Sequence, residues 1–359
     1  MAQSDEGSSK LLWGCLGGCL GFIVIVGIAI GIGGWLLMRA TAVDPPETFA
    51  AEQTTTFLSV RVEPENPAVA EWAIRTVMHE SLAGQVPQDQ FEPLQRDVSQ
   101  AVDSVRGMAP VQMVGVLRPA DEEGEFRGGA VISMYRMSRM FALATAGLRE
   151  TAVSTTGYKD VDIYALQSGA RYARDRNNFM LADSKEIIEA WVDRSETRRQ
   201  RVKEAGEGGP APPQPAGAEK MVAAFGRLDR EAPILFACAN GHGELDYFAE
   251  ALPEQAAPEL RALIEQTGDQ IASVAAQVEA LNPDDGQLTL WWECDDAAAA
   301  AALAEGLRTA LPALGEGEAL SNVNVSVEED TVVRAEARVE AVPDKLARFL
   351  AAGLEAQKD

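Results

Sequence analysis

An uncharged apolar run, Leu11 to Met38, lies between Lys10 and Arg39 and limits what the rest of the chain can do. As a helix rising ~1.5 Å per residue it is long enough to cross a hydrocarbon core of ~30 Å with some tilt. Trp13 and Trp35 stand near its two ends. That places them roughly 33 Å apart on the helical rise, where indole rings settle at the two membrane–water interfaces. The triplet Ala40-Thr41-Ala42 that follows has the small-x-small form of a signal-peptide cleavage site. A cleavable signal has an apolar core of ~7–15 residues, however, and this run is about twice as long, with Arg39 interrupting it before the triplet. The expectation is a retained signal-anchor, one transmembrane helix over 11–38 behind a short tail, 1–10. In Leu16-Gly17-Gly18-Cys19 the cysteine opens the apolar segment instead of following it, which is the wrong order for a lipidated N-terminus. Cys15 and Cys19 read as small packing residues.

Glycine is dense in this run. Gly14, Gly17, Gly18 and Gly21 share one helical face, and Gly27, Gly31 and Gly34 share another. The pairs Gly14/Gly18, Gly17/Gly21 and Gly27/Gly31 have the small-xxx-small spacing that lets two helix backbones approach closely in lipid. They are the candidate contacts for a homodimer or for a second membrane protein. Lys10 and Arg39 nearly balance across the membrane, so flanking charge does not decide orientation. A short cytoplasmic N-terminus with the large C-terminal domain outside, in a bacterial envelope, is the expected arrangement.

The formal charge of the chain is −24, and it belongs to the part after the anchor, because Asp5 and Glu6 offset Lys10 and Arg39. Such acidity excludes a general nucleic-acid backbone binder and argues against a body lying flat on anionic lipid. Residues 39–53, with Asp44-Pro45-Pro46, read as a stalk.

Beyond the stalk, hydrophobic periodicity marks a strand over 55–62 with Leu58, Val60 and Val62 on one side and Phe57, Ser59 and Arg61 on the other. Helices follow from Asn66-Pro67 to about Leu82 and over about Asp89–Arg106. Strands are expected at Val111–Leu117 and Phe126–Met134, then a helix over Met137–Leu148. A second strand pair, Lys159–Leu166 and Tyr172–Leu181, leads to a helix capped by Asp183 or Ser184. Residues 196–220 are an Arg-rich and then Pro/Gly-rich linker, in which Gly206 to Pro215 leaves no room for a regular element. The same order then restarts. Ile234–Cys238 is a strand, and short helices follow over Glu244–Ala251 and Pro258–Gln266. A hairpin, Ile271–Leu281 with Gln287–Glu293, precedes a helix over Ala297–Leu311 capped by Asp295 or Asp296. Val323–Glu328 with Thr331–Glu340 form a last hairpin, and Asp344–Leu354 a closing helix. Both halves, 54–195 and 221–359, thus read as one duplicated unit. Hairpin connections and a polar strand face predict an α+β fold, each half an antiparallel sheet with helices packed on one face.

Chemistry is sparse by comparison. Of the two histidines, His79 reads as a surface residue on a helix, and His242 sits in Asn240-Gly241-His242-Gly243-Glu244-Leu245-Asp246, a turn with acidic residues at a helix start rather than a metal site. No nucleophile elbow or phosphate-cradling loop occurs, and nothing calls for a cofactor, a metal or a catalytic residue. Cys238 and Cys294 lie near strand ends in the same half and are a candidate disulfide if those strands are neighbours and parallel. Alternation sends Trp292 to the side of Leu288 and Leu290, and Trp291 to the polar side, where an indole is a candidate partner anchor. The basic group Arg194, Arg198, Arg199, Arg201 and Lys203 reads as the charged end of a solvated helix, with capture of an anionic partner as the alternative.

This layout resembles uncharacterised bacterial single-pass membrane proteins with a duplicated α+β extracytoplasmic domain. The resemblance covers the whole layout and implies an anchored envelope protein with no particular activity. The functional expectation is a membrane-anchored binding or scaffolding protein without catalysis of its own. The alternatives are an extracytoplasmic hydrolase using paired carboxylates and an accessory sensor acting through a partner helix.

Overall fold

Short turns between alternating strands favour antiparallel neighbours. The computed structural model describes residues 44–63, 68–78, 111–119, 126–134, 149–205, 214–251, 258–313, 320–345 and 347, and every strand pairing in it is antiparallel. The first seven strands are β1 (Thr56–Val62), β2 (Val111–Pro119), β3 (Phe126–Met134), β4 (Ser154–Tyr158), β5 (Val161–Ala165), β6 (Arg171–Asp175) and β7 (Asn178–Ala182). The others are β8 (Ile234–Ala239), β9 (Ile271–Ala280), β10 (Gly286–Cys294), β11 (Ser321–Glu328) and β12 (Val332–Val339). Together they form one 12-stranded sheet in the order β11-β12-β10-β9-β8-β1-β2-β3-β7-β6-β5-β4. Helices among the described residues are α1 (Ala68–Met78), α2 (Lys185–Ala205), α3 (Glu219–Phe225), α4 (Glu244–Ala251), α5 (Pro258–Thr267) and α6 (Ala297–Ala313).

The α+β class with a large antiparallel sheet is therefore present. It differs from expectation in several ways. The single strand expected over Tyr172–Leu181 is two, β6 and β7, paired as a hairpin because the chain turns at Arg176-Asn177, where Arg176 has a φ of 55°. The halves do not keep separate sheets: β1 and β8 pair in register from Thr56↔Cys238 to Val60↔Ile234, so the sheet runs through the seam. Helices also lie on both faces. Phe57 and Leu235 point to one face, Val60 and Ile234 to the other, and apolar side chains on both sides of the central strands each need cover. On the Phe57 face, α2 and α3 supply Ile187, Ile188, Trp191, Val192, Met221 and Phe225. The opposite face receives α5 and α6 over β9, β10 and β12, while Trp72 of α1 packs with Val60, Ile234 and Val278.

Trp72 also donates its indole N–H to the Asn282 carbonyl at 3.2 Å, and Arg75 pairs with Asp284 at 2.5 Å, so α1 reaches across the seam to the β9–β10 turn. Helix α6 starts where expected: the Asp296 carboxylate accepts the Ala299 N–H at 2.8 Å as an N-cap. The segment Leu11–Met38, its glycine faces, His79 and the helices expected over 89–106 and 137–148 lie outside the described residues. Among the described residues no helix is long and apolar enough to cross a membrane.

Candidate functional site

Residues 44–50 run across the Phe57 face beneath α2. All four residues of the 3-10 turn Pro46–Phe49 are buried, and this strap is held mainly through its backbone. Trp191 donates its indole N–H to the Phe49 carbonyl at 2.6 Å, and the two rings meet edge to face with centroids 6.3 Å apart. Arg194 donates to the carbonyls of Thr48 (2.7 Å), Glu47 (3.0 Å) and Gln214 (2.8 Å). Burial lowers the pKa of that guanidinium, and the three carbonyl oxygens are what compensate its desolvation. From the other side, the N–H groups of Ala216 and Ala218 bond to the carbonyls of Ala50 and Thr54. Part of the expected stalk is thus built into the body.

The strap begins on a row of polar side chains. Register places Arg61, Gln112, Ser133, Asn178 and Asp175 side by side on β1, β2, β3, β7 and β6. Gln112, Ser133, Asn178 and Asp175 are buried, so the row has to be satisfied internally. Ser133 donates to the Asn178 side-chain oxygen at 2.7 Å. The Asn178 amide donates to the Asp44 carboxylate at 3.0 Å, and Gln112 donates to the Asp44 carbonyl, also at 3.0 Å. Helix α2 closes the row from above: Arg198 lies 3.3 Å from Asp44, and Arg199 lies 2.6 Å from Asp175. Asp44 is therefore a junction where the N-terminal segment, two strands of the row (β2 and β7) and α2 meet.

This resolves the basic group. Arg194, Arg198 and Arg199 hold the strap and the row, while Arg201 and Lys203 stand exposed toward the end of α2. Periodicity did not point to the row, since each strand contributes one polar residue. Its signal was Arg61 at a position where β1 should be turning inward.

The remaining candidates fall elsewhere. Cys238 and Cys294 are both free and buried. Strand β9 lies between β8 and β10, so one condition for the candidate disulfide, neighbouring strands, is not met. Burial pushes the Cys238 thiol up to about 12 and the Cys294 thiol up to about 11, which makes both inert toward thiolate chemistry at neutral pH. Trp292 is in the α6 core as expected. Trp291 is half-buried on the opposite face, against the edge of the Phe57 core, with the Arg334 guanidinium 5.8 Å over its ring. It is a covered residue and not a bare anchor.

His242 is exposed, and its backbone N–H donates to the buried Glu244 carboxylate at 2.7 Å, closing the turn before α4. Among the described residues no three His, Cys, Asp or Glu side chains converge to hold a metal. Asp183 is the described carboxyl whose pKa is raised, by burial; its oxygen accepts the Gly128 N–H at 2.7 Å, and the charges of Arg127 and Arg118 oppose the shift.

No family model and no curated protein matches the chain. A solved structure described as crystal form I of TP0453 has a TM-score of 0.40 and 10% identity, with 88% of this chain and 99% of that one covered.

Proposed function

We propose that this chain is a single-pass cell-envelope protein whose body, held close to the membrane, binds or scaffolds a partner without catalysis of its own. The strap carries this reading. A domain on a solvated stalk turns freely, whereas a domain that buries the residues just after its anchor holds one rim toward the bilayer. From Arg39 to Asp44 the chain spans at most ~18 Å even when fully extended, so the Asp44 rim is the membrane-proximal one. The glycine faces of the anchor are the surface for a second copy or another membrane helix, and the acidic body faces away from lipid on its remaining sides.

The strand order supports a duplicated unit. Outward from the β1/β8 seam, β1-β2-β3-β7-β6 is matched by β8-β9-β10-β12-β11. Each half is then a strand, a hairpin, and a second hairpin that joins by its last strand, with β4–β5 as an addition to the first half.

Alkaline carbonate extraction of the full chain tests the anchor: retention in the membrane pellet is expected, and release into the supernatant would sink it. Orientation requires a new cysteine, because Cys238 and Cys294 are buried. Leu281→Cys sits on an exposed hairpin tip (51% exposed). Labelling of intact cells by an impermeant maleimide, above the unsubstituted chain, is expected; labelling only after lysis would reverse the orientation.

A further inference from the structure

We propose that the rim of the body around the end of α2 is a docking surface for anionic lipid headgroups, so that the tethered domain rests on the membrane at one defined corner. This rests on the anchor reading above. Register shows which groups share the corner. Arg199 reaches Asp175 at the end of β6, Arg176 is exposed in the β6–β7 turn, and Arg201 and Lys203 are exposed on the part of α2 that continues past that turn. Arg174 bonds the Arg176 carbonyl from the same turn. Among the described residues the carboxylates here are Asp44 and Asp175, which are already paired with Arg198 and Arg199, and the exposed Glu204 and Glu52, the latter close enough to Arg194 to act on its charge. At the tip of the neighbouring β4–β5 turn, exposed Asp160 stands beside Lys159, which is itself engaged by Asp193 and Glu196.

Among the described residues the surplus of exposed groups at the corner is cationic, in a chain whose overall charge is −24. It coincides with the place where the chain leaves the body toward the apolar run. Arg194, Arg198 and Arg199 are consumed inside the protein. Arg176, Arg201 and Lys203 are solvated, and their position at the tethered rim is what gives them a surface to meet. A cation near an anionic leaflet adds roughly fivefold to surface association. A tether of ~18 Å keeps the corner within about two Debye lengths at physiological salt. The acidic remainder of the body is repelled by the same leaflet, which favours contact at this corner alone.

The test uses the full chain reconstituted through its anchor into nanodiscs of neutral or of one-third anionic lipid, with the rate of Lys203 acetylation read by mass spectrometry. Lys220, exposed at the start of α3 and at the opposite end of the sheet, is the internal reference. Lys203 is expected to react roughly fivefold more slowly on anionic discs, with Lys220 unchanged and the difference abolished by 0.5 M (roughly) salt or by Arg176→Gln with Arg201→Gln. Equal Lys203 rates on both lipids, or protection that survives the double substitution, overturns the docking corner while leaving the anchor intact. A chain that carbonate washes out of membranes overturns the anchor reading, and the docking corner falls with it.

Discussion

The two main cores of the sheet are built on different principles. The Phe57 core is made of large side chains, with Phe49, Phe57, Trp191, Phe225, Met180 and Met221 all essentially inaccessible. These come from widely separated stretches, and Gly129 is thinned to admit them: a Cβ there would stand 2.6 Å from the Trp191 ring and 2.8 Å from the Leu181 carbonyl. The opposite core is an alanine and leucine layer. Ala299, Ala300, Leu303, Ala304, Leu307 and Ala310 of α6 lie on Val274, Trp292, Val333 and Ala335. Small residues let α6 approach its own strands closely, and nearly all its partners come from residues 245–335. The second core is local in sequence; the first depends on a strap delivered from residue 44. Whatever pulls on the N-terminal segment is therefore felt by the first core and not by the second.

Trp191→Ala should strain that contrast most. It removes a fully buried indole, the edge contact to Phe49 and the donor to its carbonyl, at a cost of about 4 kcal/mol. Amide hydrogen exchange should show β3 and β7 losing protection while β10 and β12 keep theirs. Uniform loss across the sheet would mean that the cores are one cooperative unit. Leu307→Ala is the converse, expected at about 3 kcal/mol. Its protection losses should fall on β10 and β12 and leave the strap in place.

A smaller effect separates structural arginines from surface ones. Asp44→Ala leaves the Asn178 amide and the Arg198 guanidinium without their partner in a mostly buried row, a loss of about 2 kcal/mol by urea denaturation. Arg201→Ala, on the same helix but exposed, should change stability by less than about 0.5 kcal/mol. If the two proved equal, the row would not be what fixes the strap.

Much of this architecture is legible in the residues. Period-2 alternation and turn residues locate β3, β9, β10 and β12 to within a residue or two, because each has one face that must be apolar. Residues 44–50 read as stalk because a four-residue turn carries no period, and the ring that covers Phe49 is 142 positions away. Strand β4 is hidden for the opposite reason: Ser154 to Gly157 are all exposed and show no alternation. The β1–β8 seam and the helices on both faces follow from pairings between distant strands, which local pattern cannot rank. The polar row is the clearest case. Arg61, Gln112, Ser133, Asn178 and Asp175 are unremarkable one by one, and only register makes them neighbours.

Alkaline pH also divides the cores. The strap core has no cysteine, while Cys238 sits at the seam and Cys294 in the alanine core. Burial holds both thiols protonated in the folded state, to about 12 and about 11, against 9.0 for the unperturbed thiol. The folded protein thus binds more protons than the unfolded chain above pH 9, so stability is fully present below that point and falls as pH rises toward the folded values. Between pH 8 and 10 each thiol should cost about 1 kcal/mol. Urea midpoints across that range should decline, and exchange should report the decline first in β8, β9 and β10. Cys238→Ala with Cys294→Ala should remove most of the decline between about pH 8 and 9.5, below the range in which Tyr158, Tyr172 and Tyr247, whose pKa values are also raised, begin to contribute, while leaving the response to Trp191→Ala unchanged. A loss over that lower range that persists in the double variant would place the titrating groups elsewhere and remove this distinction between the two cores.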